Sequence, residues 1–306
     1  DHALRHAYTW LHRRRFGPPV LPAEYLRSPD LGALAVRGPY ACYTRKNADG
    51  RFEWDLRSLS AAEHHEGLLT LGARVVFEVD PTQRVLRAVR IDSALGASVP
   101  GDTGWELSKK LALCSAITHL SLVRHFNWVH LAAASPLATA TRNTLPADHP
   151  LLRLLWPYLY ATHQSNDTVT RGQLLPGGDF ETTFSYSFGG LCQLFDDTWA
   201  GLDFGINDPV MDARARQVIG QGFDTPTEDN LAALFDLMHE HALDYLSLYY
   251  PHAAQGTGIE GLRDDGVLLD WLDALNQLVP NGVGLTRDSV DLAGLARLVA
   301  RCIYLV

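Results

Sequence analysis

Two histidines five residues apart, His125 and His130, sit in the apolar stretch HFNWVHLAAASP. An imidazole buried among aliphatic side chains needs a polar partner, and a metal ion is one that neutral imidazole serves well. The spacing is the obstacle. On a regular α-helix each residue turns by about 100°, so a five-residue pair points about 140° apart and cannot share an ion. Zinc helices of the HExxH type avoid this by using positions i and i+4. His125 and His130 are therefore either ordinary core histidines, each hydrogen-bonded and neutral, or a metal pair on a turn widened to π geometry over Phe126 to Val129. Such widened turns concentrate at functional sites. A third histidine, His119, lies on the same segment six residues before His125.

The element that must position them is a long helix. Thr103 with Glu106 is a capping-box signature for its start, and Pro136 marks its far end. That predicts roughly 30 residues, about 45 Å at 1.5 Å per residue. Apolar residues spread around most of its circumference, which places it at the centre of the fold. Residues 73–92 read as two β-rich strands around an Asp-Pro-Thr-Gln turn. Further helices are expected at 149–161, 207–221, 227–250, 266–278 and 288–306, with loops at 174–180 and 253–261. Residues 1–72 mix short helical stretches with Pro- and Gly-bearing loops. The expected fold class is mostly α: a single large helical domain over residues 1–306, around a long central helix, with a small antiparallel β element.

Composition narrows the function classes. The chain has 306 residues and a formal charge of −9, and its only strongly basic cluster is HRRRF at 12–16, which reads as a solvated helix end rather than a nucleic-acid stripe. Cys42, Cys114, Cys192 and Cys302 are far apart and form no CxxC pair, so they read as reduced, mostly buried thiols in a cytoplasmic protein. No apolar run is long enough for a transmembrane segment, which leaves transient contact with a membrane surface open. Lysine occurs only at 46, 109 and 110 against many arginines, a bias that suits a GC-rich bacterial genome. His239, Glu240 and His241 in the MHEH segment offer a second cluster of potential ligands, but at that spacing they read as a solvated helix face.

Set in order, several segments resemble the lipoxygenase family. HFNWVHLAAASP is followed by ATATRN and by DHPLLRLLWPYL, which is similar to the family's metal helix and the His-Pro helix start after it, here His149 and Pro150. SNDTVTRGQLLPGGDFETTF resembles the segment that carries an arginine and a leucine beside the substrate channel, and DLMHEHALDYLSLYY with DDGVLLDWLDAL resembles later helices around a tyrosine pair, here Tyr249 and Tyr250. LVARCIYLV resembles the start of the next metal-bearing helix. The resemblance covers about residues 70–306 and is densest over 103–200.

The resemblance implies a non-haem iron site (Fe2+/Fe3+) with His125 and His130 as ligands and His119 beside them in the second shell. It implies a substrate channel flanked by Thr170, Arg171 and Leu174. The implied reaction inserts O2 into a 1,4-diene of a polyunsaturated fatty acid or related lipid: a ferric hydroxide abstracts a doubly allylic hydrogen, and O2 adds to the radical. An apolar lining would hold the acyl chain and keep water from the radical. The family's third ligand histidine would fall past Val306, so the chain is expected to be cut before its last metal-ligand helix. The stretch before the metal helix is short, so the family's N-terminal lipid-binding β-barrel is not expected within these residues. The chain also departs from the pattern. His119 stands six residues before His125 where the family has five, Leu120 replaces the usual glutamine after it, and Thr170 stands where Gly or Ala is usual. A natural-product diene as substrate, or a degenerate homologue without catalysis, stays open as an alternative.

Overall fold

The computed structural model describes residues 28–251 and 260–305. The HRRRF cluster, residues 253–259 of the expected Gly-rich loop, and Val306 lie outside the described residues.

A short helix, α1 (Leu31–Leu34), is capped by Asp30, whose carboxylate accepts from the Ala33 N–H. A five-stranded antiparallel sheet follows in sequential order: β1 (Arg45–Lys46), β2 (Phe52–Asp55), β3 (Ala73–Asp80), β4 (Val85–Ser93) and β5 (Gly96–Ser98). The expected hairpin is its centre. Asp80 faces Val85 across the turn and Ala73 faces Ser93 at the open end, with a bulge between Val76 and Phe77. The flanking strands are too short for alternation to betray them, yet β2 buries Phe52 and Trp54 completely enough to matter for the core.

The long helix runs from α2 (Trp105–His119) through a π-helical stretch, Leu120–Ala134, into α3 (Ser135–Thr144), with helical backbone angles at both joints. Two expectations about its ends are corrected. Thr103 and Glu106 form no capping box: the N-cap is Gly104, and Glu106 is drawn instead to Lys109 at 2.9 Å. Nor does Pro136 close the helix. It occupies the first turn of α3, where a missing N–H is tolerated, and it ends only the π stretch.

The chain continues with α4 (Pro150–Leu159), α5 (Thr162–Val169), a second π turn (Thr170–Leu174), α6 (Asp179–Thr183) and α7 (Phe188–Trp199). Then come α8 (Pro209–Ala215), α9 (Pro226–Tyr249), α10 (Glu260–Arg263), α11 (Gly266–Leu278) and α12 (Leu292–Leu305). The architecture is mostly α with one small antiparallel sheet, as expected.

Two apolar clusters fill the interior, and the long helix joins them. One packs the sheet against α2, the π stretch and α7 through Trp54, Phe77, Leu122, Phe126 and Leu191. The other packs α3 against α4, α11 and α12 through Leu137, Leu155, Trp271, Leu295 and Val299. Trp128 touches both. Small residues at 132–134, 138 and 140 let α3 and its neighbours approach closely, and the Trp271 indole N–H donates to Thr141 Oγ1 at 3.1 Å. The cysteines are all free thiols, but only Cys302 is buried; Cys114 and Cys192 sit on outward faces of α2 and α7, contrary to the expectation that most are buried.

Candidate metal centre

The widened turn that the five-residue spacing requires is present. His125 Nε2 and His130 Nε2 face each other at 3.2 Å, although a regular helix would turn them apart. Local chemistry holds the π geometry. The His130 carbonyl accepts from the Ser135 N–H five residues on, from the Ser135 hydroxyl at 3.0 Å, and from Asn166 Nδ2 at 2.9 Å. Pro136 then has no N–H to extend the i to i+5 pattern, and α-helix resumes. From outside, α7 pins the stretch: Asn127 Nδ2 donates to Phe195 O and Thr198 Oγ1, both at 2.9 Å, and Trp128 Nε1 donates to Thr198 O at 2.8 Å.

Asn166, on α5, fixes the ring of His130 as well as its backbone. Its Oδ1 lies 2.8 Å from His130 Nδ1, so Nδ1 carries the proton and Nε2 presents a lone pair. Asn166 is buried, and its remaining amide hydrogen goes to Ser135 Oγ at 2.7 Å. On the other ring, burial and then the neighbouring His130 hold His125 below the ordinary histidine pKa, which favours the neutral form that metals bind. Two imidazole nitrogens bonded to one ion at about 2.1 Å and at right angles would stand about 3 Å apart, so the donor pair fits a shared metal ion. Among the described residues no third His, Cys, Asp or Glu joins them.

The pair opens on a cavity of about 440 Å³ lined by Val129, Ala134, Tyr158, Tyr160, Thr162, Ser165 and Leu305 as well as the two histidines and Asn166. The other sequence-derived residues lie elsewhere. His119 turns toward the sheet side: its Nδ1 is 3.0 Å from the Tyr43 hydroxyl, and its ring meets Trp128 edge-on at 6.1 Å. Burial, and then the Arg124 guanidinium, lower its pKa to about 4. Thr170, Arg171 and Leu174 form the second π turn, outside this cavity. Arg171 is exposed and pairs with Asp167 at 2.8 Å, while Leu174 packs against the sheet-side core. In the MHEH segment, Glu240 and His241 are exposed and His239 Nε2 is buried without a partner. Asn166 and Ser135 were not singled out from sequence; an asparagine inside a helix is a weak signal, since its partner is visible only in three dimensions.

The chain also resembles known proteins. The family model for lipoxygenase matches residues 80–206. Polyunsaturated fatty acid lipoxygenase ALOX15 of Bos taurus is 27% identical over 205 residues, which cover 65% of this chain and 29% of the bovine protein. These matches make the chain similar to the lipoxygenases. Two solved relatives share its fold. Coral 8R-lipoxygenase superposes with a TM-score of 0.70 at 15% identity, over 94% of this chain and 44% of that one. Manganese lipoxygenase does so with a TM-score of 0.70 at 16% identity, over 94% of this chain and 50% of that one. The chain thus spans half or less of the length of each of these relatives.

Proposed function

We propose that this polypeptide forms the histidine-bearing half of a lipoxygenase-type dioxygenase that acts on a 1,4-diene, and that His125 and His130 hold its non-haem metal, iron in the first instance. One observation carries this reading: two Nε2 atoms 3.2 Å apart on a π-widened helix, with the lone pair of one set by Asn166. The kinship supports a dioxygenase of this type, and the relatives named for manganese and for polyunsaturated fatty acids suggest the range of metal and substrate.

A bound redox metal supplies the one-electron oxidation and the base that a doubly allylic C–H bond requires. The residues of this chain do the rest of what the geometry allows. Asn166 keeps His130 in the Nδ1–H tautomer, and the π turn brings His125 beside it. Val129, Ala134 and Leu305 give the cavity apolar wall suited to an alkene chain. Two imidazoles leave the remaining coordination positions to water, substrate or groups outside the described residues.

A second reading of the substrate rests on the same cavity. Tyr158, Tyr160, Thr162 and Ser165 also line it, and among the described residues none of their hydroxyls makes a hydrogen bond. A diene with an oxygenated substituent, such as a natural-product intermediate, would use them better than a plain acyl chain.

The test is metal analysis of the full-length polypeptide alongside O2 uptake with linoleate. Iron or manganese near one per chain, lost in His125→Ala and in His130→Ala together with diene-dependent O2 uptake, is the expected result. Full metal retention in both variants would sink the assignment.

A further inference from the structure

We propose that Tyr43 and His119 form a proton-coupled redox pair, in which the tyrosine gives up one electron while its phenolic proton moves onto the imidazole. The Tyr43 hydroxyl lies 3.0 Å from His119 Nδ1, and the two rings meet edge-on at 5.3 Å. A neutral imidazole nitrogen is a base, which a carbonyl oxygen is not. Tyr186 and Tyr245 donate to the carbonyls of Leu59 and Pro150, so oxidising either would leave its proton with no base to take it. Burial, and then Arg124, keep the His119 ring neutral, with Nδ1 the acceptor toward the phenol. Burial also holds the Tyr43 phenol above its ordinary range, so it does not ionise by itself. Once the electron has gone, the phenol is a far stronger acid than imidazolium, and the transfer runs downhill.

Close rings lead away from the pair on both sides. Trp128, two residues before His130 on the π stretch, meets the His119 ring edge-on at 6.1 Å. On the other side Trp54 lies 6.4 Å from Tyr43, with Tyr40 6.2 Å beyond it. Both indoles are fixed by their N–H groups, Trp128 on Thr198 O and Trp54 on Thr44 Oγ1. The Arg124 guanidinium sits 5.8 Å from the Tyr43 ring and 5.8 Å from the Trp128 ring. That fixed positive charge opposes removal of an electron, so the pair answers only a strong oxidant. A phenol in this setting matches an organic peroxyl radical, the species O2 forms with a dienyl radical, and the source of that oxidant rests on the dioxygenase reading above. In the step the Tyr43 O–H bond breaks as an N–H bond forms at His119 Nδ1, and Tyr43 becomes a neutral phenoxyl radical. The electron reduces the peroxyl radical to a peroxide anion, which takes a proton from water. A soluble reductant of the ascorbate class then returns one electron, becoming a radical itself, and the proton goes back from His119 to Tyr43.

The test is flash photo-oxidation of the full-length, metal-free polypeptide with ruthenium tris-bipyridine and an irreversible electron acceptor, read by electron paramagnetic resonance and transient absorbance. Neither metal nor diene enters, so failure here is distinct from failure of the dioxygenase reading, which metal analysis decides. Radicals at exposed Tyr160 and Tyr249 meet one another and decay quickly, so the long-lived component reports the interior. A long-lived tyrosyl radical that forms more slowly in D2O and is lost in Tyr43→Phe is expected. His119→Asn keeps a hydrogen-bond acceptor but no base, and should slow radical formation by about a hundredfold, the low end of what a positioned base contributes. Tyr186→Phe removes a buried phenol bonded only to a carbonyl and should leave the signal unchanged. The same radical yield in Tyr43→Phe, an unchanged rate in His119→Asn, or no slowing of the wild type in D2O overturns the proposal.

Discussion

Asn166 holds His130 at both ends, its Oδ1 2.8 Å from the ring Nδ1 and its Nδ2 2.9 Å from the backbone carbonyl of the same residue. One side chain thus sets the tautomer of the ring and supports the widened turn beneath it. Partners that orient a metal-bound histidine typically account for 10–100-fold in metal affinity. Asn166→Ala should lower affinity by about that range, and should also cost about 1 kcal/mol of stability, because the half-buried His130 N–H loses its partner. Asn166→Asp keeps an acceptor toward Nδ1 and should recover most of the affinity. Metal titration with parallel denaturant melts would check both; equal affinity in all three proteins would show that the contact is incidental.

The π stretch depends on α7, and α7 depends on a glycine. A Cβ at Gly190 would lie 2.0 Å from the backbone oxygen of Glu63, an overlap that no rotamer relieves. The two segments are already tied there, since Ser187 N donates to Glu63 O and the Ser187 hydroxyl to the Glu63 carboxylate. Gly190→Ala should therefore push α7 away and destabilise the protein by about 3 kcal/mol or more, the upper end of overpacking costs. Its C-terminal turn carries the acceptors for Asn127 and Trp128, so loss of metal affinity should accompany the loss of stability. Gly189→Ala meets only the end of the Glu63 side chain, at 3.2 Å, and serves as the mild control.

Periodicity and punctuation made the large features legible: the long helix, the hairpin around Asp80 and Val85, and α11, whose observed span Gly266–Leu278 is the one expected. What sequence rules missed has local causes. Pro136 is read as a stop because a proline lacks the N–H a helix needs, but directly after a π stretch that N–H has no place to go, and the helix continues to Thr144. The Thr103 and Glu106 pattern met a stronger competitor, Lys109, within one turn. The five-residue histidine pair was legible as an anomaly, since regular geometry forbids the contact that the structure makes. Its supports were not: Ser135 and Asn166 act through positions that become neighbours only when α5 packs against the long helix.

The seat of α12 offers a separate test. Asp208 is fully buried, caps α8 through Met211 N, and takes Arg297 and Arg301 from α12 on its other oxygen. Removing one partner of a buried ion pair strands the other charge, at a typical cost of about 3–5 kcal/mol. Asp208→Ala should approach that figure, with Arg301, whose Nε is already without a hydrogen bond, the residue left worst off. Asp208→Asn retains the cap and should cost less. Urea denaturation gives both numbers, and a cost below about 1 kcal/mol for the alanine variant would place the pair among the weak surface contacts.

His119 should make the protein sensitive to mild acid. Burial, and then Arg124, lower its pKa to about 4, against 6.5 for a free histidine. Above pH 6.5 the ring is neutral in both folded and unfolded chains, and nothing is lost. As the pH falls from 6.5 the unfolded chain takes up the proton first, so folding stability declines. The decline continues until about pH 4, where the folded form is protonated too. At about 1.4 kcal/mol per pH unit, the whole window is worth roughly 3 kcal/mol. His119→Asn places an amide oxygen near the position of Nδ1, where the Tyr43 hydroxyl can still donate, and it does not titrate. Measured by urea denaturation from pH 7 to pH 4, the wild type should lose stability faster than the variant, with the two curves converging or crossing near the acid end. Parallel curves would mean that the buried ring is not what the acid attacks.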